Sequence, residues 1–473
     1  MHNVYQNPLI TRYASKTMQA IFSDKSKFVL WRRLWVALAK AQKELGLEIT
    51  SEQIKQLEKH TENIDFERAS QIEKETRHDV MAHIKAYGEV AKEAKPIIHL
   101  GATSCYVGDN TDIILQRDAL LHIKRLLVST IDVLAKFAKQ YKDLPTLAFT
   151  HYQPAQPTTV GKRASLWLND LLLDLERLEE TLAKLKFFGC KGATGTAASM
   201  LELFNGKHAK VIELEKKIAK QFGFDKIHQI SGQTYSRKID YFVLSVLSGI
   251  AQSAYKFSND IRLLSNLKEI EEPFEKAQVG SSAMPYKRNP MRSERIAALA
   301  RYVSVGTLNT SLTASAQWLE RTLDDSANRR IVIPQSFLAV DAILSLYINV
   351  AGGLVVNKGV IEKNLRVEIP FLATENILMY CVTKGGDRQD LHNRIKEHSM
   401  RAGERIRNGE TNDLLDRILA DKAFKLTKAE LDKILSANFT GRAAQQVEEF
   451  LPYVQQVLKT NKSFIGAEVE IKV

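Results

Sequence analysis

Apolar residues recur every third or fourth position over long stretches of this chain, the spacing of a helix with one buried face. The longest such stretch, 110–144, contains neither glycine nor proline and predicts a helix of about 33 residues, roughly 50 Å long. Other long helices are predicted at 160–188, 236–270, 303–318 and 332–356, and an amphipathic one at 28–47. Alternating patterns typical of strands are scarce, so the pattern predicts an all-α protein.

Helix length divides the chain into three regions. We expect an N-terminal helical domain at 1–103, a central bundle of long helices at 104–356 and a C-terminal helical cap at 357–473. The long helices are apolar over more of their surface than the neighbours within one chain can cover. The pattern therefore favours a central bundle that several copies of the chain share.

The composition is that of a soluble globular protein, with 44% hydrophobic and 26% charged residues. The net charge of +12 favours anionic partners. Lysine and arginine are scattered among acidic residues, however, and no nucleic-acid-binding motif is present, so we expect no nucleic acid partner. A small phosphorylated molecule fits the same charge balance.

The three cysteines, Cys105, Cys190 and Cys381, lie far apart in the sequence. Such a sparse, odd set is typical of free thiols in a reducing compartment and predicts neither disulfides nor a metal site. The N-terminus lacks a signal pattern, and no run approaches eighteen unbroken apolar residues. We therefore expect a cytoplasmic protein without a membrane partner.

Four polar segments interrupt the predicted helices, at 101–112, 150–159, 231–236 and 280–290. The last has the sequence GSSAMPYKRNP; its two prolines exclude regular helix, and Gly280 permits backbone angles that are closed to other residues. Taken alone, this composition is more typical of a surface turn. Its hydroxyl, cationic and amide side chains between long helices favour a chemical role once the other segments are considered with it.

The 280–290 segment resembles the signature loop of the fumarase/aspartase superfamily, whose members cleave C–N or C–O bonds to release fumarate. Five further segments resemble the nucleotide-handling members of that superfamily in their animal-type form: RYAS at 12–15, RHDV at 77–80, THYQPAQ at 150–156, QTYSR at 233–237 and RTLDDSANRR at 321–330. The resemblance runs from Arg12 to about Arg442. It implies a three-domain fold, a homotetramer whose active sites combine three chains, an anionic nucleotide substrate, and no cofactor or metal.

The resemblance makes Ser281 the base that removes a proton from the carbon next to a carboxylate. That carbon acid is too weak for an ordinary side-chain base unless fixed donors and cations stabilise the dianionic intermediate. Lys287 and Asn289, with backbone N–H groups of the loop, can supply this stabilisation. Lys287 and the loop amides could also activate the serine hydroxyl.

The departing nitrogen needs a proton, and the resemblance makes His151 the general acid, a role that suits histidine. It also places His78 close by as a substrate-binding residue, and it gives Glu294 the role of holding His151 or Lys287. Taken alone, His151 is as easily a structural loop histidine. His83 and His99 are interpreted as structural.

The remaining candidate residues are implied by the resemblance to surround the substrate. Arginine forks suit phosphate and carboxylate recognition, and a substrate with one phosphate and two carboxylates needs several of them. These candidates are Arg12, Tyr13, Arg77, Asp79, Thr103, Ser104, Gln233, Arg295, Arg321, Ser326 and Arg330.

Two alternative functions remain. Another fumarate-releasing lyase, such as argininosuccinate lyase, would need no phosphate site, so the Arg12–Tyr13 pair and the 321–330 segment count against it. A non-catalytic helical scaffold descended from such an enzyme is the other alternative, and the presence of Ser281 and His151 counts against it.

Overall fold

The computed structural model describes residues 3–436 and 439–471, and 68% of the structure is helical, which confirms the all-α prediction. The α-helices are α1 Lys16–Ile21, α2 Asp24–Glu44, α3 Ser51–Lys59, α4 Phe66–Thr76, α5 Asp79–Val90, α6 Ser104–Gln140, α7 Val160–Lys184, α8 Ala198–Leu203, α9 His208–Gln221, α10 Lys238–Asn266, α11 Met291–Ser315, α12 Asp324–Gly352, α13 Lys358–Leu372, α14 Thr374–Thr383, α15 Arg388–Arg407, α16 Leu414–Ala420, α17 Lys428–Leu435 and α18 Ala443–Thr460. The strands are β1 Pro145–Thr150, β2 Gln153–Thr159, β3 Ile270–Glu271 and β4 Val355–Val356. A π-helical turn, Leu9–Tyr13, precedes α1.

Helices α6 and α12 run parallel through the central bundle. Asp112 pairs with Arg329 near their N-termini, and His122 pairs with Asp341 farther along. Helix α10 runs in the same direction, because Asp240 in its first turn pairs with Arg329 of α12 and Phe257, farther along, stacks on Tyr347 of α12. We call the N-terminal ends of these three helices the first end of the bundle and their C-terminal ends the second end. The 37 residues of α6 separate the two ends by about 55 Å.

Helices α7 and α11 run in the opposite direction, so both begin at the second end. Residues with higher numbers on α7 and α11 contact residues with lower numbers on α10. The pairs are Trp167 with Asp260 and Asp174 with Ser253 for α7, and Arg301 with Tyr255 and Thr307 with Leu244 for α11.

Several helices begin earlier than the sequence predicts. Helix α6 starts at Ser104, so most of the 101–112 segment is helical and the prediction that it breaks the helix is wrong beyond Thr103. Asp109 and Asn110 are buried and paired inside the protein: Asp109 accepts from Arg237 at 2.9 Å, and the Asn110 side chain donates to the carbonyl of Gly189 at 2.9 Å. The polarity of these two residues therefore reflects buried hydrogen bonding and not a loop. Helix α12 likewise begins at Asp324 and accommodates Pro334 in its interior.

Two small antiparallel pairs, β1 with β2 and β3 with β4, were not predicted. Strand β2 contains Pro154 and Pro157 and lies in the 150–159 segment, which the sequence analysis treated as an interruption between helices. A two-stranded ribbon has a free edge on each strand, so proline can sit where its missing N–H is not needed. The hairpin packs against α7, α13 and α18 at the second end.

The largest apolar core fills the central bundle, and Trp167, Phe257 and Tyr347 are among its fully buried side chains. A second core joins the N-terminal helices to the start of α6, and a third lies within 373–434. Helix α18 packs on α6 and α7 through Val447 and Leu451 and so contributes to the central core. The three-domain division at 103 and 356 stays a prediction.

Helix α12 has the length and composition of a membrane-spanning helix. Its most apolar window is 72% buried inside the protein, as in the core helix of a soluble protein. All three cysteines are buried and free. In the described parts of the chain, no group of three or more His, Cys, Asp or Glu residues could hold a metal ion.

Two buried arginines join the starts of α6, α10 and α12. Arg237 donates to Asp109 on α6 at 2.9 Å and to Asp325 on α12 at 2.6 Å. Arg329 on α12 donates to Asp240 on α10 at 2.7 Å. Burial opposes the charge of both arginines, but the neighbouring carboxylates outweigh it and raise the pKa of each guanidinium. This buried ion network fixes the relative position of the three helices at the first end.

We expect Arg329→Leu to lower the free energy of unfolding by about 3–5 kcal/mol, because it leaves the carboxylate of Asp240 buried without its partner. Urea unfolding at fixed protein concentration measures the change. Arg366→Leu is the control, since Arg366 pairs with Glu362 on the exposed face of α13 and its loss should cost little. Equal shifts for the two variants would show that the buried network does not stabilise the fold.

Candidate active site

Nine of the predicted site residues lie at the first end of the bundle, and we call them the first-end cluster. They come from the α4–α5 junction, the start of α6, the segment before α10 and the start of α12: Arg77, His78, Asp79, Thr103, Ser104, Gln233, Arg321, Ser326 and Arg330.

His78 connects two of these elements. It caps α5, where Nδ1 accepts a long hydrogen bond from the Met81 N–H at 3.5 Å, and Nε2 lies 3.3 Å from the Ser104 hydroxyl. Beside it, Asp79 accepts from Arg330 at 2.8 Å. Burial would raise the pKa of Asp79, but the hydrogen bonds from Arg330 and the Val80 N–H outweigh it and hold the pKa below its usual value. Asp79 is therefore an anion that orients Arg330.

Residues outside the first-end cluster fix the side chains of Gln233 and Arg321. The Gln233 amide donates to the carbonyl of Ala193 at 3.0 Å, and the Cys105 sulfur lies 3.6 Å from its oxygen. Arg321 donates to Asp325 at 3.2 Å, and that carboxylate also binds Arg237 of the buried ion network. The network therefore positions Arg321 directly.

The start of α6 is suited to an anion. Thr103 is the N-cap residue of this helix, but its side chain makes no capping hydrogen bond. The first N–H groups of a helix carry partial positive charge and attract anions when no side chain satisfies them. Arg77 adds an exposed cation on a left-handed residue, φ 53°, where α4 ends. The first-end cluster is thus partly exposed and carries three arginines.

A second group, which we call the arginine pocket, consists of Arg12, Tyr13 and Arg295. The Arg295 guanidinium lies 5.6 Å from the centre of the Tyr13 ring. Burial and the nearby Arg12 lower the pKa of Arg295, whereas Tyr13 opposes the shift. Ser345 and Glu470 line the same small cavity.

Asp341 anchors the chain that carries Arg12 and Tyr13. This fully buried carboxylate accepts from the Ser15 N–H at 2.6 Å and the Ser15 hydroxyl at 2.9 Å. His122 on α6 lies 2.8 Å from the same carboxylate. The sequence analysis missed Asp341 and His122, although an aspartate inside the apolar stretch of α12 could have indicated a buried anchor.

The signature loop 280–290 closes on itself at the second end. The Ser281 hydroxyl accepts from the Met284 N–H at 3.2 Å, and the Asn289 amide donates to the Gly280 carbonyl at 2.8 Å. A side chain at Gly280 would place its Cβ 1.9 Å from the Lys287 carbonyl oxygen. Close approach and not a left-handed backbone is therefore the reason for glycine here, contrary to the sequence interpretation. The Lys287 side chain is exposed.

His151 occupies the tip of the β1–β2 hairpin. Thr150 pairs with Gln153, so His151 and Tyr152 are the two central residues of the turn, with φ 54° and 56°. Two-residue hairpin turns of this hand favour Asn and Gly, and larger residues are strained there. The exposed His151 side chain is held out from the protein at a cost in backbone energy, as expected for a functional residue.

Within one chain these groups do not converge. The first-end cluster lies at one end of α6, whereas the loop and the His151 hairpin lie at the other, about 55 Å away. His78 is therefore not close to His151 of its own chain. Glu294 is exposed in the first turn of α11, and in the described residues it makes no hydrogen bond or ion pair with His151 or Lys287. Of the interpreted structural histidines, His83 stacks on Phe28 at 3.8 Å and His99 accepts from Trp35 at 2.9 Å.

Two solved structures that share this fold are enzymes. A fumarate lyase from Mesorhizobium matches with a TM-score of 0.81 at 22% identity, covering 95% of this chain and 99% of the other. A 3-carboxy-cis,cis-muconate lactonizing enzyme from Pseudomonas putida matches with a TM-score of 0.82 at 24% identity, covering 95% and 99%. The family model described as Lyase matches residues 11–304, and that described as Adenylosuccinate lyase C-terminus matches 370–450.

Proteins related in sequence identify a narrower family than the fold does. Proteins named adenylosuccinate lyase are 52% identical in Saccharomyces cerevisiae, covering 94% of both chains, and 50% identical in Schizosaccharomyces pombe, covering 98% of both. One from Schistosoma mansoni is 49% identical over 94% of both chains.

The match to the Lyase family model and the identity to these relatives show a carbon–nitrogen lyase of the fumarase/aspartase superfamily. Within that superfamily, the chain belongs to the adenylosuccinate lyase family. This finding supports the predicted function over argininosuccinate lyase and over a non-catalytic scaffold.

We expect Gly280→Ala to reduce kcat by at least about 100-fold with little change in thermal stability. The new methyl group would collide with the Lys287 carbonyl and so displace Ser281 and Lys287 from their positions in the loop. Steady-state kinetics and calorimetry measure the two effects. Gly359→Ala on α13 is the control, since a Cβ there meets nothing within 4 Å. Wild-type turnover by Gly280→Ala would show that the observed loop closure is not the active form.

Proposed function

We propose that the protein cleaves adenylosuccinate to AMP and fumarate, and the succinylcarboxamide ribotide of purine synthesis (SAICAR) to AICAR and fumarate. The observation that supports this most is the division of the site into a cationic binding half at the first end and a reactive loop and histidine at the second. The identity to relatives named adenylosuccinate lyase extends over nearly the whole chain and supports the same substrate class.

The proposed reaction is an anti β-elimination. Ser281 removes a proton from the carbon next to a carboxylate, and the electron pair of that C–H bond becomes the new C=C bond of fumarate. The pair of the breaking C–N bond goes to nitrogen, which receives a proton from His151. Lys287, Asn289 and the loop N–H groups stabilise the negative charge that develops on the carboxylate before nitrogen departs.

The first-end cluster is proposed to bind the rest of the nucleotide. Arg330 is oriented by Asp79, and Arg321 by Asp325, so both guanidinium groups are fixed before an anion arrives. Thr103, Ser104, Gln233 and Ser326 add neutral hydrogen-bonding groups. Both proposed substrates carry a ribose phosphate at one end and a succinyl group on nitrogen at the other, so a site that holds the two ends accepts both.

We infer that each active site combines segments from three chains of a homotetramer. One chain holds its two half-sites about 55 Å apart, whereas chains packed antiparallel bring the first end of one beside the second end of another. The exposed face of α11 carries a stripe of apolar side chains, Tyr302, Val305, Leu308 and Leu312, that suits such packing. Glu294 would then hold His151 of a neighbouring chain.

We infer a cytoplasmic location. The three buried free thiols suit a reducing compartment, and nucleotide substrates are cytoplasmic metabolites.

We expect the purified protein to release fumarate from both adenylosuccinate and SAICAR, and to act far more slowly on the phosphate-free adenylosuccinate nucleoside. Remote binding energy from the phosphate positions the reacting end, so its loss should lower kcat/KM. Absorbance of the released products measures all three rates. Cleavage of adenylosuccinate without cleavage of SAICAR would contradict a site that recognises only the two ends.

We expect mixtures of inactive variants to recover activity when different chains supply the two mutated residues to one site. His78→Ala mixed with Ser281→Ala should regain about a quarter of wild-type activity, because one site in four then receives both intact residues from different chains. His151→Ala mixed with Ser281→Ala is expected to recover activity as well, since three chains are proposed to build each site.

The matched control is His78→Ala mixed with Arg330→Ala, whose residues belong to one cluster of one chain. That mixture should stay inactive. Light scattering and mass spectrometry of tagged chains verify tetramers and subunit exchange. Equal recovery by every mixture, or by none after verified exchange, would contradict the proposed division of the site.

A further inference from the structure

Lys27, near the start of α2, is a half-buried lysine that the sequence analysis did not identify as a site residue. Its ammonium nitrogen lies 5.0 Å from the centre of the Phe28 ring and 5.2 Å from that of the Trp31 ring. Within the described parts of the chain, Lys27 makes no hydrogen bond and no ion pair. Aromatic rings attract a cation without cancelling its charge, and an ammonium group has three N–H donors. Lys27 therefore carries a positive charge that no carboxylate of the described residues pairs with.

The rings beneath Lys27 join the start of α2 to α5, the helix that carries Asp79 of the first-end cluster. Phe28 stacks on His83 of α5 with the ring centres 3.8 Å apart. His83 and Asp79 lie four residues apart and so share one face of α5. Burial lowers the pKa of His83 to about 4, and the positive charges of Arg32 and Lys27 add to the shift, so His83 is uncharged at neutral pH. Lys27 thus rests on neutral rings at the edge of the first-end cluster.

The electrostatics of Lys27 agree with this position. Burial lowers the pKa of Lys27, and the positive charge of Arg330 lowers it further. Three carboxylates oppose the shift, those of Asp112, Asp79 and Asp24. Asp79 already binds Arg330 at 2.8 Å, Asp112 binds Arg329 at 2.9 Å, and Asp24 is exposed to solvent. Lys27 and Arg330 therefore repel each other, and an added anion would stabilise both.

We propose that Lys27 is a further substrate-binding residue of the first-end cluster, where its ammonium group and the Arg330 guanidinium hold one oxyanion of the substrate between them. Arg330 donates to Asp79 through one nitrogen, so other N–H groups of the guanidinium stay available for the oxyanion. The phosphate and the carboxylates of the substrate offer the same chemistry to this pair of cations. The inference rests on the proposed function for the identity of the substrate, but binding of an oxyanion is measurable without turnover.

The test compares Lys27→Met, Lys27→Arg and Lys25→Met in the full-length protein. Methionine keeps a flexible apolar side chain on Phe28 and Trp31 but removes the charge, whereas arginine keeps the charge. Lys25→Met is the matched control, because Lys25 lies in the same part of α2, is exposed, and its loss changes the net charge equally.

Calorimetric titration with inorganic phosphate and with fumarate measures the binding of each kind of oxyanion. We expect Lys27→Met to raise the dissociation constant of one probe by about tenfold, as for the loss of one charge-assisted contact. Lys27→Arg and Lys25→Met should stay within about twofold of wild type, since both keep a cation at position 27. Weaker binding of phosphate assigns Lys27 to the phosphate end, and weaker binding of fumarate assigns it to a carboxylate.

Steady-state kinetics provides a second measurement. We expect Lys27→Met to lower kcat/KM for adenylosuccinate by about tenfold, mostly through a higher KM, because the contact binds the substrate and moves no proton. If Lys27 holds the phosphate, the same substitution should leave cleavage of the phosphate-free nucleoside unchanged. If it holds a carboxylate, cleavage of the nucleotide and of the nucleoside should fall equally.

Wild-type affinity of Lys27→Met for both probes would overturn the proposal. Equal weakening by Lys27→Arg would also overturn it, because packing on the rings and not the charge would then be responsible. Equal weakening by Lys25→Met would do the same, since it would reflect the overall positive charge of the protein. A protein inactive on adenylosuccinate, but with oxyanion binding that depends on Lys27, would contradict the proposed function and leave the role of Lys27 standing.

Discussion

The buried pairing of Arg237 and Arg329 with aspartates from neighbouring helices is the interaction on which the rest of the structure depends. Both guanidinium groups are nine-tenths or more buried, so their charge is tolerated only while the carboxylates stay in place. The carboxylates come from the starts of α6, α10 and α12, so the three helices must meet in one register. Arg321, Arg330 and Gln233 all extend from segments that this register holds.

The length of the bundle helices imposes the second constraint. The 37-residue helix α6 keeps the functional groups at its two ends apart. The first end is rich in fixed cations and neutral donors that suit binding, whereas the second carries a tight loop and a strained hairpin that suit reaction. If chains assemble as proposed, the contacts between them complete the site, and a monomer alone would be incomplete in function.

The sequence predicted the parts of this protein whose information is local. Helical spacing over 110–144 located α6, and GSSAMPYKRNP located the signature loop, because both depend on residues close in the chain. The start of α6 was predicted too late because Asp109 and Asn110 are polar residues inside the helix. Their hydrogen-bond partners, Arg237 and Gly189, lie far away in the sequence. The hairpin was missed because its prolines resemble those of a loop.

The candidate site was predictable as a set of residues but not as an arrangement. Asp79 and Arg330 form an ion pair although they lie 251 residues apart in the sequence, so no local pattern predicts the pair. Asp341 was missed for the same reason, since its role depends on Ser15 and His122 from other elements. Only the assembled helices show which candidates share an end of the bundle.

The turn at His151 and Tyr152 has a consequence for laboratory evolution. Left-handed backbone costs residues with a Cβ roughly 1–2 kcal/mol each, a cost that Asn and Gly largely escape. A selection for heat resistance alone would therefore enrich Asn–Gly at these two positions and discard the imidazole as a by-product. Libraries built from this sequence should hold position 151 constant, because here the more durable hairpin is the one that has lost its histidine.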